Sequence, residues 1–208
     1  MMPRRAAIIP LMILPLAFPL LLLLFVLLLA ILVLVFELRL LRYAYQKIGV
    51  PPRYMFIVML VSLVGSLINL PLFQIGRGTI VAVNVGGALV PTLLSLYLFQ
   101  RLRMRGRMLL GTAIVAVIVH GLATIVPGVG IAVPMLLPPL AAVVVSLLLA
   151  FRQAPPLAYV SGSMGTLIGA DLWNLSRVAE IGAPVVAIGG AGTFDGVFLT
   201  GIIAGLLA

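Results

Sequence analysis

The chain has 208 residues, 64% of them hydrophobic and 8% charged, and a mean hydropathy of +1.36. A soluble domain carries about 25% charged residues, so this composition excludes a water-soluble fold and makes lipid the solvent. The net charge of +9 comes from basic residues grouped between apolar runs, which reads as membrane topology and not as nucleic-acid binding; the absence of cysteine excludes disulfides and thiolate metal sites.

The apolar runs are continuous and about 20 residues long, the length a helix needs to cross a bilayer, whereas barrel strands would alternate. The expected fold is an all-α integral membrane protein, a single polytopic domain over 1–208 with about seven spans. Arg4 and Arg5 precede the first run, which is apolar to Phe36. It is too long for a signal peptide and no small-residue cleavage site follows it, so it reads as an uncleaved span. Pro10, Pro15 and Pro19 are expected to break its start, so that regular helix begins near Pro19. A polar loop over 37–54 holds Arg39, Arg42, Lys47 and Arg53. Span two is expected over 55–73, with Asn69 and Pro71 near its end, and a short turn with Arg77 follows. Span three, 80–99, contains Asn84, Gly86, Gly87 and Pro91. Arg101, Arg103, Arg105 and Arg107 come next, then span four over 108–126 with His120, an uncharged turn over 127–134, and span five over 135–151. Arg152 and Pro155-Pro156 mark the next turn. Span six, 157–175, holds Gly162, Gly165, Asp171 and Asn174, with Tyr159 and Trp173 near its two ends as interfacial anchors. Arg177 and Glu180 lead to span seven, 183–208, interrupted at Gly189, Gly190 and Gly192.

Seven spans put alternate loops on opposite sides. Nine basic residues (Arg39, Arg42, Lys47, Arg53, the four arginines at 101–107, Arg152) then face four (Arg4, Arg5, Arg77, Arg177). The excess predicts an outside N-terminus and a cytoplasmic C-terminus. An internal echo accompanies this order. Ser66-Leu67-Ile68-Asn69-Leu70 and Asp171-Leu172-Trp173-Asn174-Leu175 are 105 residues apart, and Gly86-Gly87-Ala88 and Gly189-Gly190-Ala191 are 103 apart. The echo reads either as a duplicated hairpin, spans two–three and six–seven, or as chance in a Gly-rich chain.

Asp171 and Asp195 are two of only four acidic residues, and both fall in apolar runs. A carboxylate at the bilayer centre costs about 2.5–3.5 kcal/mol on insertion scales, which makes each a functional candidate. Two carboxylates held together share one proton, and the pair can activate a water while protonating a leaving group. The plainer reading leaves Asp171 near the interface, solvated or bonded to Asn174, with Thr193 capping a helix that has Asp195 in its first turn. Gly190-Ala191-Gly192-Thr193-Phe194-Asp195, followed by Gly196 and an apolar helix, resembles the Gly-x-Gly-Asp segment of presenilin and signal-peptide-peptidase type intramembrane proteases, with Thr193 and Phe194 between glycine and aspartate. The resemblance implies two catalytic aspartates, Asp171 and Asp195, and a transmembrane peptide substrate. Asn84-Val85-Gly86-Gly87-Ala88 and Gly189 to Gly196 resemble segments of an uncharacterised prokaryotic multi-pass family, a domain of unknown function numbered sixteen-fourteen, which implies no established activity.

A second class of function rests on the glycines. A span broken at Gly189–Gly192 exposes helix ends inside the membrane, as transporter sites do. Asn84, Asn174, Asp171 and Asp195 would then bind a small solute or cation, or relay a proton. Close helix packing through small residues is the plainer account of Gly162 and Gly165. His120 reads as a proton relay or as a hydrogen-bonded structural histidine. One histidine makes a zinc site improbable, and no cofactor is expected. A non-catalytic scaffold in contact with membrane lipids is the third class.

Overall fold

In the computed structural model, residues 9–75, 78–128, 130–190 and 196–208 are described. The chain divides into two units, residues 1–41 and 42–208. The first is helical from Ile9 onward, in the helix α1 (Ile9–Ile48), and its side chains from Leu22 to Phe36 are exposed and apolar all round, as a lipid-facing helix requires. Helix is continuous through Pro15 and Pro19, which corrects the expected start near Pro19. Pro10 sits in the first turn, where its missing N–H is harmless, and prolines within apolar spans are tolerated.

The second unit begins in the last turns of α1. It continues with α2 (Pro52–Gly65), β1 (Asn69–Ile75), β2 (Thr79–Asn84), a π-helical turn (Val85–Leu89), α3 (Val90–Arg101) and α4 (Arg105–Leu122). Then come β3 (Thr124–Val126), β4 (Gly130–Ala132), α5 (Leu137–Ala150), a 3₁₀ turn (Phe151–Gln153) and α6 (Ala154–Thr166). A second π turn (Leu167–Asp171), a 3₁₀ helix (Leu172–Ile181), β5 (Val185–Ile188) and α7 (Gly196–Leu207) complete it. Four of these helices, α2, α3, α5 and α6, start with proline in the first turn, where its fixed φ favours helix and no N–H is needed.

The chain is predominantly helical, and among the described residues three helical stretches are long and apolar enough to cross a membrane: 22–48, 105–122 and 137–178. The third folds back at Phe151–Gln153, so that α5 packs on α6. Five strands among the described residues correct the all-α expectation. Span two ends as helix at Gly65 and continues into β1; span three opens with β2; span seven contains β5, and its described helix is Gly196–Leu207. β2, β3 and β5 are rich in valine, isoleucine and threonine, a composition that favours pleated over helical backbone. β1 and β2 form an antiparallel hairpin, and β2 pairs in parallel with β5, Ile80 opposite Val185 through Val83 opposite Ile188. β3 and β4 form a separate hairpin.

Both sheets lie at one end of the bundle. Val81 of β2, Leu167 of the second π turn, Val178 and Ile181 of the 3₁₀ helix, Ile188 of β5 and Val197 of α7 share one core, with Ile125 and Ile131 of the β3–β4 hairpin against it. An open sheet edge cannot face hydrocarbon, and this position keeps the strands beyond the helical layer. Within that layer the core is built of small residues, among them Ala142, Ala158, Ala170 and Ala204 with Val115 and Val119. Gly165 lets α4 and α6 approach: a Cβ there would lie 2.6 Å from Val115 Cγ1. The packing account of Gly162 and Gly165 matches this geometry. Tyr159, expected at an interface, is instead 1% exposed inside the bundle. The opposite end carries the 101–107 arginines; there Arg101 donates to the Gly49 carbonyl at 2.9 Å, and Lys47 donates to the Leu206 carbonyl at 2.8 Å, satisfying an end of α7.

Candidate functional site

Asp171 closes the π turn that ends α6. One of its carboxylate oxygens, Oδ2, accepts the backbone N–H of Gly189 at 2.7 Å. This bond ties the end of α6 to the exit of β5. Gly189 adopts φ 81°, and a Cβ there would sit 2.5 Å from the Ala88 Cβ, so the position requires glycine twice over. Gly190 follows at φ 80° and donates to the Ala187 carbonyl. The other π turn is thereby brought against Gly189 through Gly87 and Ala88.

That turn is organised by Asn84, which is fully buried. Its Oδ1 accepts from Gly87 N at 2.7 Å, and its Nδ2 donates to the Ser66 carbonyl at 2.8 Å and to Asn69 Oδ1 at 2.9 Å. The amide is thus engaged in joining α2, β1 and the π turn. Gly86 packs so closely that a Cβ would collide with the Ser62 carbonyl.

His120 occupies the last turn of α4 and is exposed. Its ring meets Trp173 edge-on at 5.3 Å between centroids. Nδ1 lies 3.2 Å from the Gly169 carbonyl and 3.4 Å from Asn174 Nδ2. Protonated, Nδ1 donates to the carbonyl; unprotonated, it accepts from the amide. Asn174, 2% exposed, also donates to the Ala170 carbonyl at 2.8 Å. The described bonds of Asn174 therefore go to main chain and His120, where the sequence suggested Asp171.

A cavity of about 330 Å³ opens beside Asp171. Thr166, Ala170 and Asp171 form one wall, and Gly196, Val197, Leu199 and Thr200 of α7 form another. Residues 131–135 and Pro138 complete a mostly apolar lining. The volume falls at the lower end of the range for small-molecule sites. Gly192, Thr193 and Asp195 lie outside the described residues; Gly196, the next residue after Asp195, borders the cavity. Asn84, Asn174, His120, Gly189 and Gly190 do not line it. Sequence reasoning missed Thr166 and Thr200, which are hydroxyls in apolar runs with no flanking signal. Among the described residues no three His, Asp or Glu side chains come together, and no residue set is assigned to a metal.

The fold and cavity define a helical membrane protein with an acidic residue at the mouth of a largely apolar pocket. The family model described as protein of unknown function (DUF1614) matches residues 46–207, and the chain belongs to that family. The match begins in the last turn of α1 and covers every later helix and both sheets. No curated protein and no solved structure matches the chain.

Proposed function

We propose that this protein is a membrane-embedded hydrolase in which Asp171 and Asp195 act as a carboxylate pair on an apolar peptide segment. The observation that carries the reading is that Asp171 and Gly196, the neighbour of Asp195, border one cavity between the packed helices α6 and α7. In the proposed reaction the ionised acid takes a proton from water as that water attacks the peptide carbonyl, and the protonated acid donates to the leaving nitrogen. The lining suits such a substrate: apolar walls take side chains, and the polar end takes the amide. A bare cation would ask for a fuller shell of oxygens.

Transport of a small solute, cation or proton is the second reading. It is favoured by the breaks that flank Asp171, where α6 gives way to π and 3₁₀ turns and α7 is preceded by β5 and Gly189. Purified protein in liposomes separates the two. The hydrolase cuts an apolar membrane-spanning peptide, and Asp171→Asn and Asp195→Asn each abolish the cut. A wild type that cuts nothing, with solute uptake whose pH dependence changes in Asp171→Asn, overturns the hydrolase in favour of transport.

The proposal includes seven crossings by α1 to α7, with the cavity end outside a prokaryotic inner membrane and the arginine-rich end in the cytoplasm. It also includes duplication. The parallel pairing of β2 with β5 sets each residue opposite the one 105 positions later. The same spacing relates the bond between Asn84 and Ser66 to that between Gly189 and Asp171. These correspondences support an internal repeat whose copies have diverged: Asn69 opens a strand whereas Asn174 sits in a 3₁₀ helix, and Gly86 is helical whereas Gly189 is left-handed.

A further inference from the structure

Besides Asp171, the cavity is bordered by the hydroxyls of Thr166 and Thr200. Thr166 is 4% exposed, yet its hydroxyl has no hydrogen-bond partner among the described residues. A helical threonine ordinarily turns its hydroxyl to the carbonyl three or four residues back. Here those carbonyls belong to Ser163 and Gly162, and Thr166 bonds neither. Burying a hydroxyl with nothing to bond is unfavourable, and among the buried hydroxyls without a described partner Thr166 alone borders this cavity, where a bound molecule can reach it.

The π turn explains why this hydroxyl and the acid meet. Thr166 and Asp171 are five residues apart. On an α-helix, five residues turn through roughly 500°, which would leave the two side chains about 140° apart. A π turn closes from residue i to i+5 and brings such a pair toward one face. Leu167–Asp171 is that turn, and both residues border the same cavity.

We infer that Thr166 holds the polar end of the substrate, donating its hydroxyl hydrogen to a carbonyl or hydroxyl oxygen beside Asp171. The substrate class is a neutral amphipath with one hydrogen-bonding group and an apolar body. Its identification as a peptide rests on the hydrolase reading; the role of Thr166 as a binding residue does not.

The test compares Thr166→Val, which keeps the shape and removes the hydroxyl, with Thr166→Ser, which keeps the hydroxyl. The probe is a short peptide of apolar residues with one amide replaced by a hydroxyethylene group, read as the rise in Tm it causes in the full chain in detergent. Wild type and Thr166→Ser should show the shift, and Thr166→Val should need at least about tenfold more probe. Without probe, Thr166→Val should unfold no earlier than wild type, because the hydroxyl has no protein partner to lose. Equal affinity in Thr166→Val, no shift in wild type, or a lower Tm or failure to fold in unliganded Thr166→Val overturns the inference. Hydroxyl-dependent binding without peptide cleavage would remove the hydrolase reading and leave the Thr166 site standing. Cleavage with hydroxyl-independent binding would do the reverse.

Discussion

Gly189 gives its N–H to the Asp171 carboxylate while holding a left-handed φ against Ala88. The two residues therefore make different predictions when changed. Asn at 171 retains an oxygen that can accept the Gly189 N–H, so Asp171→Asn should fold. Asp171→Ala removes the acceptor and leaves a part-buried N–H unpaired; a hydrogen bond to a charged group contributes about 1.5–3 kcal/mol, and the loss should fall in that range. Gly189→Ala should cost at least about 1–2 kcal/mol from the left-handed backbone alone, with the overlap on Ala88 added. Denaturant unfolding in mixed micelles measures all three. An Asp171→Ala variant as stable as Asp171→Asn would mean that the 2.7 Å bond contributes nothing to the fold.

At the level of elements, the helices were legible because hydropathy reports them directly. Arg105–Leu122 and Leu137–Ala150 fall within a few residues of the apolar runs that suggested them. The strands were hidden by the same property: Thr79–Asn84 and Val185–Ile188 are as apolar as a span, and a hydropathy window merges them with the helices that follow. Their signal was present in another form. Gly76-Arg77-Gly78 between two short runs, one of them rich in valine and isoleucine, and Pro127-Gly128 before Val129 to Val133, are hairpin patterns. The π turns had no such signal, since they depend on where Gly86 and Gly169 meet neighbouring backbone: a Cβ on Gly169 would collide with the Ala116 carbonyl. Asp171 was legible as an acid in an apolar run. Its bond to Gly189, a residue legible only as a break, and its neighbour Thr166 were not, because both are set by tertiary placement. Tyr159 was misplaced because position along a span does not fix which face is buried.

On the scale of the whole molecule, the sheets and the cavity gather at one end of the bundle and the arginines at 101–107 at the other, so orientation decides which compartment the site serves. The excess of basic residues predicts that the arginine end is cytoplasmic. The chain has no cysteine, so Arg105→Cys and Gly130→Cys each give a single label position. An impermeant thiol reagent added to intact cells should label Gly130→Cys and spare Arg105→Cys; the opposite pattern reverses the orientation. The central claim, that Asp171 and Asp195 form one site, is tested most directly by distance. One water touching both carboxylates puts their oxygens within about 6 Å, twice the hydrogen-bond reach. In an Asp171→Cys/Asp195→Cys double variant, a bifunctional thiol reagent of that span should link the two positions within one chain, detected by mass spectrometry of the joined peptides. Linkage only by reagents of at least about twice that span, or by none, would contradict a shared carboxylate site.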